Sequence, residues 1–179
     1  MAPYYRYTLI FLMRGGEVLM LHRRNPPNQG QWNGVGGRLE PGETPLAGAL
    51  REVHEETGYR LATLHFAGLL TWEGHSETPG GLYIFTAPVP ELRAIEGPWL
   101  LWGVPGAPSL PPDDEGELAW KARDWAVSSP EVVSNIPLFG PYVLDGAPPQ
   151  DYHFVYATGD RIVSWEIRPL PRHARRLIL

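Results

Sequence analysis

Both ends of one helix are written into the chain between Thr44 and Gly58, and no other segment constrains the fold as much. Thr44 suits the N-cap, where a hydroxyl can accept from a free first-turn N–H. Pro45 suits a first position that has no N–H partner to lose, and Gly58 suits the residue just beyond the end. Leu46, Leu50 and Val53 fall at i, i+4 and i+7 with Ala47 beside them, so one stripe is apolar and must pack on something.

Strand patterns surround this helix. Residues 4–13 (YYRYTLIFLM) read as a buried strand, Gly15-Gly16 as a turn and 17–22 (EVLMLH) as its hairpin partner. Residues 60–72 and 81–89 are strand-like, 38–40 are expected to pair briefly, and 117–121 (ELAWK) read as a short strand. Residues 152–157 and 161–167 flank Thr158-Gly159-Asp160 as a final hairpin. Ser129-Pro130 opens a second helical region that Pro137 and Gly140-Pro141 are expected to break. Strands on both sides of one clear helix predict an α+β domain, a mixed sheet flanked by helices. The 179 residues suffice for one domain with its own core. Residues 1–179 are read as that domain, with the Pro-, Gly- and Trp-rich stretch 91–112 as an inserted loop.

Glu52, Glu55 and Glu56 lie at i, i+3 and i+4, on one helix face. Like charges about 6 Å apart repel by roughly 0.7 kcal/mol in water and nearly 3 kcal/mol at an effective dielectric of 20. Glu55 and Glu56 also sit in the last turn, where the helix dipole disfavours anions. Two readings follow: a solvated acidic face with Arg51 and Arg60 as partners, or a set of hard oxygen donors for Mg²⁺ or Mn²⁺. The preceding loop favours the second. Gly34, Gly36 and Gly37 allow backbone amides to approach a ligand, and a Gly-rich loop running into an acidic helix suggests phosphates bridged to metal ions.

Composition narrows the partners. A net charge of -5 disfavours binding to a nucleic-acid polymer, which relies on Lys and Arg. The chain has no cysteine, which excludes thiolate metal sites and cysteine nucleophiles. The longest early apolar run, Thr8 to Met13, is far short of a membrane span, and no targeting signal is visible, so the default expectation is a cytoplasmic protein. Nothing in the sequence fixes an oligomeric state.

The stretch GRLEPGETPLAGALREVHEETGY, residues 37–59, resembles the Nudix box, G-x5-E-x7-R-E-U-x-E-E-x-G-U with U aliphatic. Gly37, Glu43, Arg51, Glu52, Val53, Glu55, Glu56 and Gly58 match, and Tyr59 departs from the aliphatic residue usual there. The resemblance implies an α/β/α sandwich around a mixed sheet, with the box as loop-helix-loop. It also implies metal-assisted attack of water at phosphorus. Carried over by position, Glu52, Glu55 and Glu56 would be metal ligands together with the Gly37 carbonyl, while Arg51 and Glu43 would hold the loop and orient Glu52. The general base would be Glu52 or an acidic residue on a distal loop. Residues 113–117 (DDEGE) look like that loop, with Glu115 the preferred base and further ligand and Glu117 second.

YTLIFLM, QWNGVGGRLEPGET and DRIVSWEIRPL are also similar to the MutT-like oxidised-purine nucleoside triphosphatases, which convert 8-oxo-dGTP to the monophosphate and pyrophosphate. By that resemblance Asn33 would bind the base, Thr8 would line the pocket, Arg23 would face phosphate and Trp72 would stack. The paired Asp that such enzymes carry after a Trp-Pro has no counterpart in SSPEVVSNIPLFG, where Asn135 could supply part of the function, and the aromatic expected near Pro27 is missing. Other Nudix substrates (a nucleotide sugar, a dinucleoside polyphosphate, ADP-ribose) and a non-catalytic nucleotide-binding module are the alternatives.

Overall fold

The computed structural model describes residues 4–74, 80–89, 115–158, 161–174 and 176. The inserted loop expected at 91–112 and the tip of the final hairpin lie outside the described residues.

The eight strands among them form one mixed sheet. They are β1 (Tyr7–Arg14), β2 (Glu17–Arg23), β3 (Trp32–Asn33), β4 (His65–Glu73), β5 (Gly80–Pro88), β6 (Gly116–Ala122), β7 (Gln150–Ala157) and β8 (Arg161–Arg168). The order is β3-β2-β1-β5-β4-β7-β8, with β6 along the other side of β2. β1–β5 and β4–β7 run parallel and the remaining pairs antiparallel. Helix α1 (Pro45–Thr57) follows β3, and α2 (Arg123–Ala126) and α3 (Ile136–Leu144) follow β6.

Alternation along the strands divides the core into two layers. Ile10, Leu12, Leu19, Leu21, Leu69 and Phe85 pack with Ala49 and Val53 of α1. Phe11, Met20, Ile84, Tyr152 and Phe154 pack with Ile136, Phe139 and Val143 of α3. The sheet is therefore sandwiched between α1 on one face and α3 on the other, the mixed sheet flanked by helices that the sequence predicts. Burying each large apolar side chain contributes roughly 1.5–3 kcal/mol, which is why both faces are apolar in the middle strands. No helix among the described residues is long and apolar enough to cross a membrane.

The expected hairpin forms, but its strands pair only at Met13–Val18 and Arg14–Glu17 before they part. Beyond the split, β2 takes β3 as its neighbour. β1 instead exchanges backbone bonds with the Gly-rich loop: Ile10 N–H to Val35 O at 2.7 Å, Val35 N–H to Ile10 O at 3.1 Å and Thr8 N–H to Gly37 O at 2.9 Å. The loop thus fills the gap between two diverging strands.

Three local expectations are corrected. β1 starts at Tyr7, because the N–H groups of Tyr4 and Tyr5 go to the Tyr83 hydroxyl rather than to a strand. Residues 38–40 form no strand beyond an isolated Tyr7–Arg38 bridge; the pairing residues are Trp32 and Asn33. Pro137 and Pro141 do not break the second helix: α3 begins at Ile136, so Pro137 occupies the first turn, and the helix runs on through Pro141. The buried Ile136, Phe139, Val143 and Leu144 outweigh the one backbone bond that Pro141 cannot make.

Candidate active site

The helix forms as its end signals require. Thr44 accepts from Ala47 N–H, Pro45 sits in the first turn, and Gly58 closes the helix at φ 75°, its N–H donating to His54 O. This fixes α1 against β1 and presents residues 52, 55 and 56 to the Gly-rich loop.

Arg51 organises the carboxylates. Its Nε and Nη2 bond both oxygens of Glu43 at 2.8 and 3.0 Å, its Nη1 bonds Glu52 and Glu55 at 2.9 Å each, and Nη2 also reaches Arg38 O at 3.1 Å. Glu43 accepts from Glu40 N–H as well, so the same carboxylate ties the loop to the helix. The Arg51 bond holds the Glu43 carboxyl below its ordinary value. Burial pushes the Glu52 carboxyl above its ordinary value, Arg51 opposes this, and the nearby charges of Glu55 and Glu115 add to it.

The loop meets these groups through two glycines. Gly36 adopts φ 135°, and a Cβ there would lie 2.4 Å from Thr8 O. Its N–H donates to Glu56 at 3.0 Å, which anchors that buried carboxylate. A Cβ on Gly37 would lie 2.7 Å from both oxygens of Glu52, so the Glu52 carboxylate rests directly on the Gly37 backbone.

Each of the three expected ligands therefore has its own partner: Glu52 lies on Gly37, Glu55 on Arg51 and Glu56 on Gly36. Among the described residues, no three His, Asp or Glu side chains lie close enough to share a metal ion. The donor chemistry still fits Mg²⁺ or Mn²⁺, because carboxylate oxygens and the Gly37 carbonyl are hard ligands beside a close-approach backbone. Glu52 and Gly37 stand together, with Glu56 one residue away on Gly36.

The remaining expected residues are placed less directly. Glu115 and Arg23 meet each other at 3.5 Å, and Arg23 also donates to Pro27 O. Glu117 is exposed in β6 opposite His22. The Thr8 hydroxyl lies 3.4 Å from Gly37 O, where it serves the loop. Asn33 accepts from Gly34 N–H at 2.9 Å. Trp72 packs on the α3 side of the sheet, its ring over Gly80. Asn135 opens α3, only 8% exposed, and donates to the Tyr156 hydroxyl at 3.0 Å. Its segment is joined to β3 by Trp32 N–H to Glu131 O and Val133 N–H to Trp32 O, each 2.9 Å. Sequence reasoning did not single out Tyr156; only strand alternation in β7 marked it, which says nothing about a hydroxyl's partner.

Over 67 residues the chain is 39% identical to the oxidized purine nucleoside triphosphate hydrolase of Mus musculus, covering 37% of this chain and 43% of that protein. The Danio rerio enzyme of the same name is 38% identical over 71 residues, 40% of this chain and 46% of that protein. The chain thus spans less than half the length of these curated relatives. Among solved structures, a MutT protein from Bacillus halodurans superposes with a TM-score of 0.71 at 24% identity, covering 93% of this chain and 99% of the other. That likeness concerns the fold. The family model described as NUDIX domain matches residues 3–128, which span β1 to α2 and include every carboxylate of the helix, and the chain belongs to that family.

Proposed function

We propose that the protein hydrolyses a phosphoanhydride bond in a nucleoside triphosphate, releasing the monophosphate and pyrophosphate, with Mg²⁺ or Mn²⁺ as cofactor. The observation that carries this reading is the Glu52 carboxylate seated on Gly37 and held by Arg51. An acid placed there for stability alone would avoid burial beside other acids.

Glu52, Glu55, Glu56, Glu115 and the Gly37 carbonyl would hold the metal, which when bound neutralises phosphate charge and lowers the pKa of a water. Arg51 and Glu43 position Glu52. Glu52 or Glu115 receives the proton of the attacking water. Arg23 faces the phosphates.

The preferred base is a modified purine of the 8-oxo type. Asn33 and Asn135 offer amides that can read a purine edge, and Trp72 offers a plane to stack on it. The mouse and zebrafish relatives, whose names state oxidized purine nucleoside triphosphates, support the choice of a modified purine.

The test is a panel of 8-oxo-dGTP, dGTP, ADP-ribose, a nucleotide sugar and a dinucleoside polyphosphate, assayed for phosphate and pyrophosphate release with Mg²⁺ and after chelation. Pyrophosphate from 8-oxo-dGTP in preference to dGTP, lost with EDTA and restored by Mg²⁺, is expected. Faster cleavage of ADP-ribose or a nucleotide sugar overturns the base assignment. Nucleotide binding without turnover overturns the enzymatic one.

A further inference from the structure

Lys121 is the only lysine among the chain's 15 lysines and arginines, and the proposed hydrolysis does not use it. It lies in β6 opposite Val18 of β2, on the sheet face that carries Val18 and Met20 toward α3. Its ammonium stands 4.1 Å from the centroid of the Trp32 ring and 4.7 Å from that of Trp125. The two indoles meet edge to face, 5.9 Å apart at 88°. A compact ammonium can address both rings of such a corner, whereas a planar guanidinium lies flat on one.

Trp32 needs this fastening. Its strand, β3, has only two residues, paired to β2 at Leu21–Asn33 and His22–Trp32. A strand so short has few ladder bonds, so side chains must help to hold it. The His22 ring stacks on the Trp32 indole at 4.8 Å and 20°. Lys121 adds a tie from β6, reaching across β2 to a strand on its other side.

Trp32 in turn joins the two amides assigned to the base. Asn33 follows it directly, with Oδ1 accepting from Gly34 N–H at 2.9 Å. Trp32 N–H donates to Glu131 O and Trp32 O accepts from Val133 N–H, each at 2.9 Å, and Asn135 lies two residues further on. The Gly-rich loop beyond is bonded to β1 instead. A shift of Trp32 therefore displaces Asn33 and the 131–135 segment, while Gly37 stays with β1.

We propose that Lys121 is a positioning residue for base recognition: its ammonium, set over Trp32 and Trp125, fixes the indole that links Asn33 to the segment of Asn135. This rests on the purine reading above and adds a residue to it. Lys121 touches no substrate; it acts through Trp32, so KM and selectivity carry its effect and kcat does not.

The test has two readouts on the full chain. The first needs no substrate. In protein labelled with ¹³C,¹⁵N-lysine, the single side chain should give Cε–H signals shifted upfield by the two indole faces. The side-chain amide signals of Asn33 and Asn135, assigned with Asn33→Asp and Asn135→Asp, should move in Lys121→Met and return toward the parent in Lys121→Arg, which keeps a cation on Trp32. Ordinary lysine shifts, or amides unmoved in Lys121→Met, overturn the proposal. The second readout is kinetic. The ratio of kcat/KM for 8-oxo-dGTP to that for dGTP should fall about three- to tenfold in Lys121→Met through KM, with kcat within about twofold, and Lys121→Arg should recover most of the loss. Equal loss on both substrates, or Met retaining what Arg loses, reduces Lys121 to a packing role and overturns its part in recognition. A parent with no preference between the substrates defeats the purine reading itself; moved amides then sustain the clamp on Trp32 and unmoved ones overturn it. If Lys121→Met does not fold, Trp125→Leu withdraws one ring from the cation and decides the matter by the same signals.

Discussion

The two halves of the candidate active site are built in different ways. The core of the proposed phosphate half lies within one unbroken stretch, Gly36 to Glu56, in which a turn and a helix convert spacing directly into geometry; only Arg23 and Glu115 come from elsewhere. The proposed base half would draw Asn33 from β3, Trp72 from β4 and Asn135 from the start of α3, the last held by Tyr156 of β7. In the first, residues three and four apart share a helix face whatever the rest of the chain does. In the second, nothing local joins the groups, and Asn33 on β3 and Trp72 on β4 lie on strands that are not neighbours in the sheet. The phosphate half should therefore respond to substitution as a single unit, and the base half as separable contacts.

The largest effect should come from Glu52→Gln, which keeps the shape and removes the charge. Steady-state kinetics should show kcat lower by roughly 10²–10⁴, the range for losing a general base. Activity within a few-fold of the parent would place the chemistry outside the helix. Next is Gly37→Ala, whose methyl would lie 2.7 Å from both Glu52 oxygens and displace them. A loss of about 10–100-fold is expected, as for other disturbed positioning partners of a metal site. An unaffected enzyme would uncouple loop from helix.

The base half should respond more selectively. In Asn135→Ala the ratio of kcat/KM for 8-oxo-dGTP to that for dGTP should change about tenfold, the value of one buried hydrogen bond near 1.4 kcal/mol. Equal loss on both substrates would make Asn135 a structural partner of Tyr156. The smallest effect belongs to the helix cap. Thr44→Ala removes the bond to Ala47 N–H at 3.2 Å and should cost about 1 kcal/mol, lowering Tm by roughly 2–4 °C with kcat little changed. A large fall in kcat would mean that helix fraying reaches Glu52.

The same contrast explains what was legible in the sequence. Thr44, Pro45 and Gly58 marked α1 to within a residue, because capping is local chemistry. The alternating strands gave the flanked mixed sheet. Pro141 was misread because tertiary burial, not local preference, holds α3 together. The short helix Arg123–Ala126 escaped notice because four residues carry no period. The pairing of Glu115 with Arg23 and of Asn135 with Tyr156 joins different elements separated in the chain, so spacing could not reveal either.

The parting of β1 and β2 has a mechanical consequence. Since Val35 and Gly37 are bonded to the β1 backbone at Ile10 and Thr8, the Gly-rich loop is held against the sheet and cannot lift as a free flap. The Val35 amide, which donates to Ile10 O, would exchange with deuterium only when this edge of β1 opens. If the loop lies under the substrate as proposed, adaptation to different substrates falls to the segments that border it, while the loop keeps the stiffness of the strand edge it fills.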